Sequence, residues 1–597
     1  MSEAPSSPPQ PPPLPEIILR GIGVADGIAF GPLHRLETAP PPVPEDPVPP
    51  SRAPVELRRL DAALAAATAR LRELQANLAA AGNPDAAALF EAQLAALADP
   101  EYTGEIRTAI RASRLNAARA VQTVSGKYAA ALAALADPYL RERAADVRDV
   151  ALRLLRLLAG QADSADLPAT PHILYARDLS PSDLAAAPRD SLLALATAEG
   201  GPTSHTAILA RSLGIPALVG IPDWGPAAPP APGPVLLDGT AGLLVFRPAP
   251  ARQSAAAKRI RARNRLGARL AKLRDLPSET LDGTPIALRA NIESPDAAPR
   301  VLAAGADGVG LFRSEYLFMD GTTLPDEDRQ LRAYTSIARS LAPAPVTVRT
   351  LDLGGDKLTR HLDFPPEDNP AMGCRALRLC LARPDLFKPQ LRALLRAAAE
   401  SSNLRIMYPM VNDLADLRAA EAVRLACADE LTAEGIPHRR DIPVGVMVEV
   451  PSAALTAAWL ATHVSFFSIG TNDLTQYTLA ADRGNERVAH LCPLAHPAIL
   501  RLIRLTAAAA QVAGIPACVC GEMAWHPELA PLLVGLGVSA LSTSPDAIPG
   551  IKHVIRSLRL DEARTLADHV LTLETPDAIL SACRTFLSSH TPDLLDD

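Results

Sequence analysis

Apolar residues recur along the chain with different periods, and each period predicts a different kind of element. Between 51 and 160, Leu57, Leu60, Leu64, Leu71, Leu74 and Leu78 lay one apolar stripe along a helix. Leu89, Phe90, Leu94 and Leu97 predict a second helix, Ile106, Ile110, Val121, Val124 and Tyr128 a third, and residues 139–158 a fourth, which together read as a small bundle. Upstream, residues 17–36 read as two short strands around an Asp26-Gly27 turn. An isolated hairpin is marginal, so it needs a sheet from elsewhere. Strand patterns at 172–176, 191–196, 216–220 and 234–246 can supply one. The expectation is a discontinuous α/β domain, 17–50 and 161–248, with the helical domain 51–160 inserted.

From 284 onward the pattern changes again. Strand-like runs at 285–291, 307–312, 346–352, 405–411, 443–449, 465–470, 516–520 and 539–543 are each followed by a helix-compatible stretch. Eight βα units predict a (β/α)₈ barrel over 280–585. The stretch 251–277 is rich in Lys258, Arg259, Arg261, Arg263, Arg265, Arg269, Lys272 and Arg274, and reads as a linker helix with a solvated face. Residues 1–15 read as a Pro-rich disordered tail, and 39–50 as a stiff linker.

Composition narrows the function classes. The chain has 597 residues, 48% hydrophobic and 21% charged, with a formal charge of −7, which argues against general nucleic-acid or membrane-surface binding. No run of eighteen apolar residues predicts membrane insertion, and the N-terminus has no signal-peptide pattern. Seven cysteines follow no paired framework or zinc spacing. A cytoplasmic location is expected.

Two places carry chemistry. In Glu199-Gly-Gly-Pro-Thr-Ser-His-Thr-Ala-Ile-Leu-Ala-Arg211, two glycines free the backbone and hydroxyl residues can cap a helix whose first turn carries His205. The backbone N–H groups and dipole of a helix start favour an anion, which suits a phosphate on the imidazole. In the barrel, Arg313, Arg349, Glu449, Asn472, Asp473 and Cys520 fall at strand ends, hence on one rim. Arg313, Arg349, Arg375 and Arg483 could hold a small, highly anionic substrate through forked hydrogen bonds. Glu449 and Asp473 would repel that substrate unless a divalent cation, best Mg²⁺, lay between them. Cys520 could deliver a proton to carbon, or be inert packing like Cys518. A phosphoenol compound would use all of these groups.

Dense, ordered motifs extend the reading: GGPTSHTAILARSLGIPALVG, YLRERAADVRDV, GVGLFRSEYLFMD, RTLDLGGDK, NPAMGCRALRL, GVMVEVPSAA, FFSIGTNDLTQYTLAADRGN and CGEMA. With these the chain, from about 17 to 580, closely resembles the phosphoenolpyruvate-protein phosphotransferases, enzyme I of the bacterial sugar phosphotransferase system. The resemblance implies that phosphoenolpyruvate phosphorylates His205 on Nε2, that the phosphoryl group passes to a histidine of the carrier protein HPr, and that pyruvate is released. It implies substrate binding by Arg313, Arg349, Asn472, Asp473 and Arg483, with Arg375 and Lys357 assisting. It also implies Mg²⁺ on Glu449 and Asp473, proton donation by Cys520, a homodimer through the barrel, and HPr docking on the inserted helices. Two positions depart from the family pattern. Gln93 stands where FEAH or FEGH carries histidine, which bears on the carrier interface, and Leu184 stands where threonine is usual near the active histidine. The alternatives are a regulatory phosphotransferase or carrier-binding scaffold outside sugar uptake, and a dikinase or synthase relative. The last would need a large nucleotide-binding domain, whereas only about 200 residues precede His205 and no Walker-type loop occurs.

Overall fold

The computed structural model describes residues 15–594 apart from 37–39, 46, 81–86, 88, 135–137, 162–166, 190, 203, 224–232, 320–322, 355–366 and 486. The chain divides into two compact units, one up to Arg263 and one from Asn264.

The first unit is built on an eight-stranded sheet with strands β1 (Ile17–Arg20), β2 (Ile22–Ala25), β3 (Ile28–Leu36), β4 (His172–Ala176), β5 (Leu192–Thr197), β6 (Ala217–Val219), β7 (Pro234–Asp238) and β8 (Leu243–Phe246). Their order is β1-β8-β7-β3-β4-β5-β6-β2. The expected hairpin at 17–36 does not form. Three strands occur there, and β2 pairs with β6 while β3 lies between β7 and β4. The Asp26-Gly27 turn therefore passes the chain between distant places in the sheet. The run 234–246 is itself a hairpin, β7 on β8. Its turn packs so closely on β2 that a Cβ on Gly23 would stand 1.9 Å from the Gly239 carbonyl oxygen, so the approach requires glycine.

Both faces of this sheet are covered, which is why all five residues of β4 are buried. Alternate residues serve different cores. Ile173 and Tyr175 pack with Leu237, Leu244 and Phe246, whereas Leu174 and Ala176 join the inserted helices. Those helices are Ala53–Ala80, Glu91–Ala98, Pro100–Ala112, Ala117–Ala133 and Pro138–Leu158. The stripe residues Leu60, Leu64, Leu71 and Leu78 are buried against Phe90, Ile106, Val121 and Leu154. The third helical pattern is in fact two helices. Arg114 adopts φ 56°, and the Asn116 side chain caps a new helix by accepting from Arg119 N–H at 2.8 Å.

The basic helix Pro250–Leu273 is solvated over most of its length, with Ala256 its buried residue. Its arginines find acids: Arg252 with Glu16 at 3.1 Å, Arg259 with Asp238 at 3.1 Å and Arg269 with Asp593 at 3.0 Å.

In the second unit, β9 (Ala287–Ile292), β10 (Val309–Arg313), β11 (Val346–Arg349), β12 (Leu404–Tyr408), β13 (Val444–Val448), β14 (Phe466–Ile469), β15 (Ala517–Val519) and β16 (Ala540–Thr543) close into a barrel. Every pair is parallel, as βαβ connections require. The period of two divides side chains between surroundings. Val309, Phe312, Val346 and Val348 pack toward the helices, and Leu311, Met407, Met447, Phe466 and Cys520 form the lumen core. Among the described residues, no helix is long and apolar enough to cross a membrane.

Candidate active site

The strand ends of the barrel converge on a cavity of about 780 Å³ lined by Arg313, Arg349, Arg375, Glu449, Asn472, Asp473, Arg483 and Cys520. Arg313 and Arg349 are the last residues of β10 and β11, Glu449 follows β13, and Cys520 follows β15. Asn472 and Asp473 open the helix Thr471–Leu479 after β14. Of the barrel residues expected to act together, Lys357 alone falls outside the described residues.

The arginines are held by acids that the sequence reading passed over. Arg349 lies 3.0 Å from Glu315 and 2.8 Å from Asp352, and Arg375 lies 2.7 Å from the same Asp352. Glu315 also accepts the backbone N–H of Asp352 at 3.0 Å. Arg375 donates from its other nitrogen to the Tyr477 hydroxyl at 3.1 Å, and that hydroxyl donates to the Ala371 carbonyl at 2.5 Å. Burial opposes the charge on Arg349, yet Glu315, Asp352 and Glu449 outweigh it and hold the guanidinium above its ordinary pKa. Arg375 behaves alike, with Asp352 and Asp473 outweighing its burial. The result is two fixed, permanently charged forks at the cavity wall. Arg313 is looser, paired with exposed Glu293 at 2.6 Å. A signal for the two acids did exist, since Glu315 and Asp352 each follow a strand-end arginine by two or three residues.

Glu449 is 1% exposed and accepts the Met410 N–H at 2.7 Å. Burial first, and then Asp473 and Asp352, push its carboxyl well above the ordinary range. A Cβ on Gly470 would come within 2.8 Å of Glu449 Oε2, so glycine there leaves the carboxylate its place. Two carboxylates forced together beside fixed arginines are a donor set for a hard divalent cation. No group of three or more ligating side chains occurs among the described residues, so water and substrate oxygens would complete the shell.

Cys520 is buried, and burial pushes its thiol up to about 11, so it carries its proton at neutral pH. Its Sγ donates to the Ile469 carbonyl at 3.6 Å, and its own carbonyl receives Asn291 Nδ2 at 3.0 Å. Cys518, whose thiol burial raises to about 12, is absent from the cavity lining, which separates the two cysteines by position.

In the first unit, His205 is the first residue of the helix His205–Ser212, and Ser204 caps it by accepting from Ala207 N–H at 3.3 Å. The loop before it turns at Gly200, φ 100°, and is fastened by Thr197 Oγ1 on the Glu199 carbonyl at 2.7 Å and by Glu199 on Arg177 at 2.8 Å. Arg211 binds the carbonyls of Val24, at 2.7 Å, and Pro202. Thr206 Oγ1 donates to Leu179 carbonyl at 2.5 Å. Beside this helix start lies a cavity of about 430 Å³ lined by Gln93, Asp149, Ser180, Gly201, Ser204 and Thr206.

The two departures sit inside this seam. Gln93 is 1% exposed and donates to Asp149 at 2.7 Å, while Ser182 donates to the same carboxylate at 3.0 Å. Residue 93 therefore lies where the bundle meets the α/β domain, at the edge of the cavity beside the His205 helix. Arg156 pairs with Asp183 at 2.9 Å across the same seam. Leu184, also buried, belongs to the shared hydrophobic core.

Comparison with known proteins is consistent along the chain. Residues 20–143 match the N-terminal model of PEP-utilising enzymes, 168–242 the mobile domain, and 267–560 the PEP-binding domain. The phosphoenolpyruvate-protein phosphotransferase of Geobacillus stearothermophilus is 40% identical over 568 residues, covering 95% of this chain and 97% of that protein. That of Bacillus subtilis is 38% identical over 94% of this chain and 98% of its own length. The multiphosphoryl transfer protein of Xanthomonas campestris pv. campestris is 41% identical over 95% of this chain and 67% of its own length.

Proposed function

We propose, from the premise that the chain belongs to the phosphoenolpyruvate-protein phosphotransferase family, that it moves the phosphoryl group of phosphoenolpyruvate onto His205 Nε2 and then to a histidine of HPr. The carrying observation is the convergence of Arg313, Arg349, Arg375 and Arg483 with Glu449, Asn472, Asp473 and Cys520 around one cavity. Fixed guanidiniums bind carboxylate and phosphate oxygens and stabilise charge as the phosphoryl group leaves. The P–O bond to the enol oxygen breaks as a bond from phosphorus to imidazole nitrogen forms. The enolate left behind takes a proton at carbon from the Cys520 thiol and becomes pyruvate, and solvent returns the proton to the thiolate. Burial suits the thiol to this task, because it arrives protonated at neutral pH. Mg²⁺ held by Glu449 and Asp473 would neutralise phosphate charge and orient the substrate.

The start of the helix His205–Ser212, with its capped backbone, suits an anion on residue 205. The seam cavity next to it, bordered by the inserted helix Pro138–Leu158, supports docking of the carrier on the inserted helices. A homodimer through the barrel is supported by exposed apolar side chains on neighbouring helices, among them Trp459 at 68% and Val512 at 91% exposure.

The test incubates the pure protein with labelled phosphoenolpyruvate and Mg²⁺ and no nucleotide. Acid-labile label on His205, transferable to added HPr, is the expected result. Label that appears only with ATP, or none, overturns the reading.

A further inference from the structure

The lower lumen of the barrel, at the N-terminal ends of the strands, holds two arginines that the phosphoryl-transfer chemistry does not use. Arg289 is the third residue of β9 and Arg405 the second of β12. Their neighbours Leu288, Ala290, Leu404 and Ile406 pack outward in the main core, so the period of two turns both arginines into the lumen. Arg289 is 8% exposed, and its Nε is buried without a hydrogen-bond partner.

Among the described residues neither guanidinium forms an ion pair with a carboxylate. Burial lowers the pKa of Arg405, and the charge of Arg289 lowers it further. The Cys518 thiol stays neutral at pH 7, because burial raises it to about 12 despite the nearby Arg289. Arg405 lies over the face of Phe466, with its guanidinium carbon 5.9 Å from the ring centre. That ring has its place because residue 445 is glycine, where a Cβ would come within 2.3 Å of it. Thr347, opposite Arg405 in the parallel register, adds a buried hydroxyl without a partner. Two like charges brought together in a protein interior are costly unless an anion joins them.

We propose that the lower lumen is a binding site for a compact oxyanion of the phosphate class, held between Arg289 and Arg405 with the Thr347 hydroxyl as a further donor. Five N–H donors on each guanidinium suit tetrahedral oxygens. This site is built from the opposite strand ends to the catalytic cavity and shares no residue with its lining.

The probe is inorganic phosphate, added to the full-length protein in a zwitterionic buffer of low ionic strength. Phosphate at about a hundred times its Kd should raise the barrel's unfolding temperature by about 4 °C. Arg289→Met and Arg405→Met should lose most of that gain, keep phosphoenolpyruvate-dependent labelling, and melt no lower than wild type without phosphate. Equal phosphate gains in wild type and both variants would overturn the proposal. Should the variants fail to fold, anomalous diffraction from wild-type crystals soaked in selenate decides it. A selenium peak between the two guanidiniums supports the site, and selenium at the catalytic cavity alone, or nowhere, refutes it.

Discussion

Arg349 and Asp352 meet at 2.8 Å within one strand end, and because Asp352 also receives Arg375 at 2.7 Å, a single carboxylate positions two guanidiniums from separate segments. Asp352 is 7% exposed, so losing its charge removes the nearest acid of Arg375 and leaves Arg349 to Glu315. We expect Asp352→Asn to lower the kcat/KM for phosphoenolpyruvate by about 10²-fold, as misplacement of binding groups near the chemistry does. Steady-state phosphorylation of HPr measures it. A change under threefold would mean that Glu315 alone holds Arg349.

Cys520 is expected to separate phosphoryl transfer from carbon protonation. Cys520→Ala removes the protonated thiol while leaving the arginine forks untouched. Turnover should fall by about 10²–10⁴-fold, the usual range for a general acid. A second readout isolates the step: wild-type protein should exchange the methyl protons of pyruvate with deuterated solvent, followed by NMR, and the variant should not. Unimpaired exchange in the variant would assign the proton to another group.

Glu449 and Asp473 compete electrostatically, with burial and then Asp473 pushing the Glu449 carboxyl upward. Glu449→Gln relieves that repulsion in metal-free protein and removes a ligand from metal-bound protein. In thermal unfolding the variant should melt no lower than wild type in EDTA, and should lose the stabilisation that Mg²⁺ gives wild type. Labelling of His205 should drop by more than about 10²-fold. A Mg²⁺ gain equal to wild type would place the cation elsewhere.

The barrel was legible in the sequence because eight apolar runs, each buried on its helix-facing side, leave polar residues where the strands stop, and Arg313, Arg349 and Cys520 sit at those stops. Glu315 and Asp352 carried only the signal of their spacing, since an acid two or three residues beyond an arginine looks the same whether it is solvated or clamps an arginine, and Glu315, which follows Arg313, pairs with Arg349. Only closure of the barrel tells the two apart. The β2–β3 segment misled for a related reason: a turn signal reports a change of direction, while pairing partners such as β6 lie nearly two hundred residues away. Gln93 bore on the carrier interface and Leu184 on the surroundings of the active histidine, and burial shows that both are packed where the bundle meets the α/β domain.

That packing makes Asp149 the most direct probe of the seam. Burial raises its carboxyl from an ordinary 3.8 to about 6, and Asp183 adds to the effect, while Arg153 and the hydroxyl of Ser182 oppose it. A carboxyl raised by folding stabilises the native state while protonated, fully below its unfolded pKa, and that contribution is lost as pH rises through its folded value. Between pH 5 and pH 8 the seam should therefore lose about 1.4 kcal/mol from this one group. Asp149→Asn cannot ionise, yet its side-chain oxygen can still accept from Gln93 and Ser182. Its stability relative to wild type, measured by denaturant unfolding, should improve by that amount on going from pH 5 to pH 8. A relative stability that does not change with pH would mean that Arg153 already holds Asp149 ionised, and that the Gln93 amide is bound to a permanent anion.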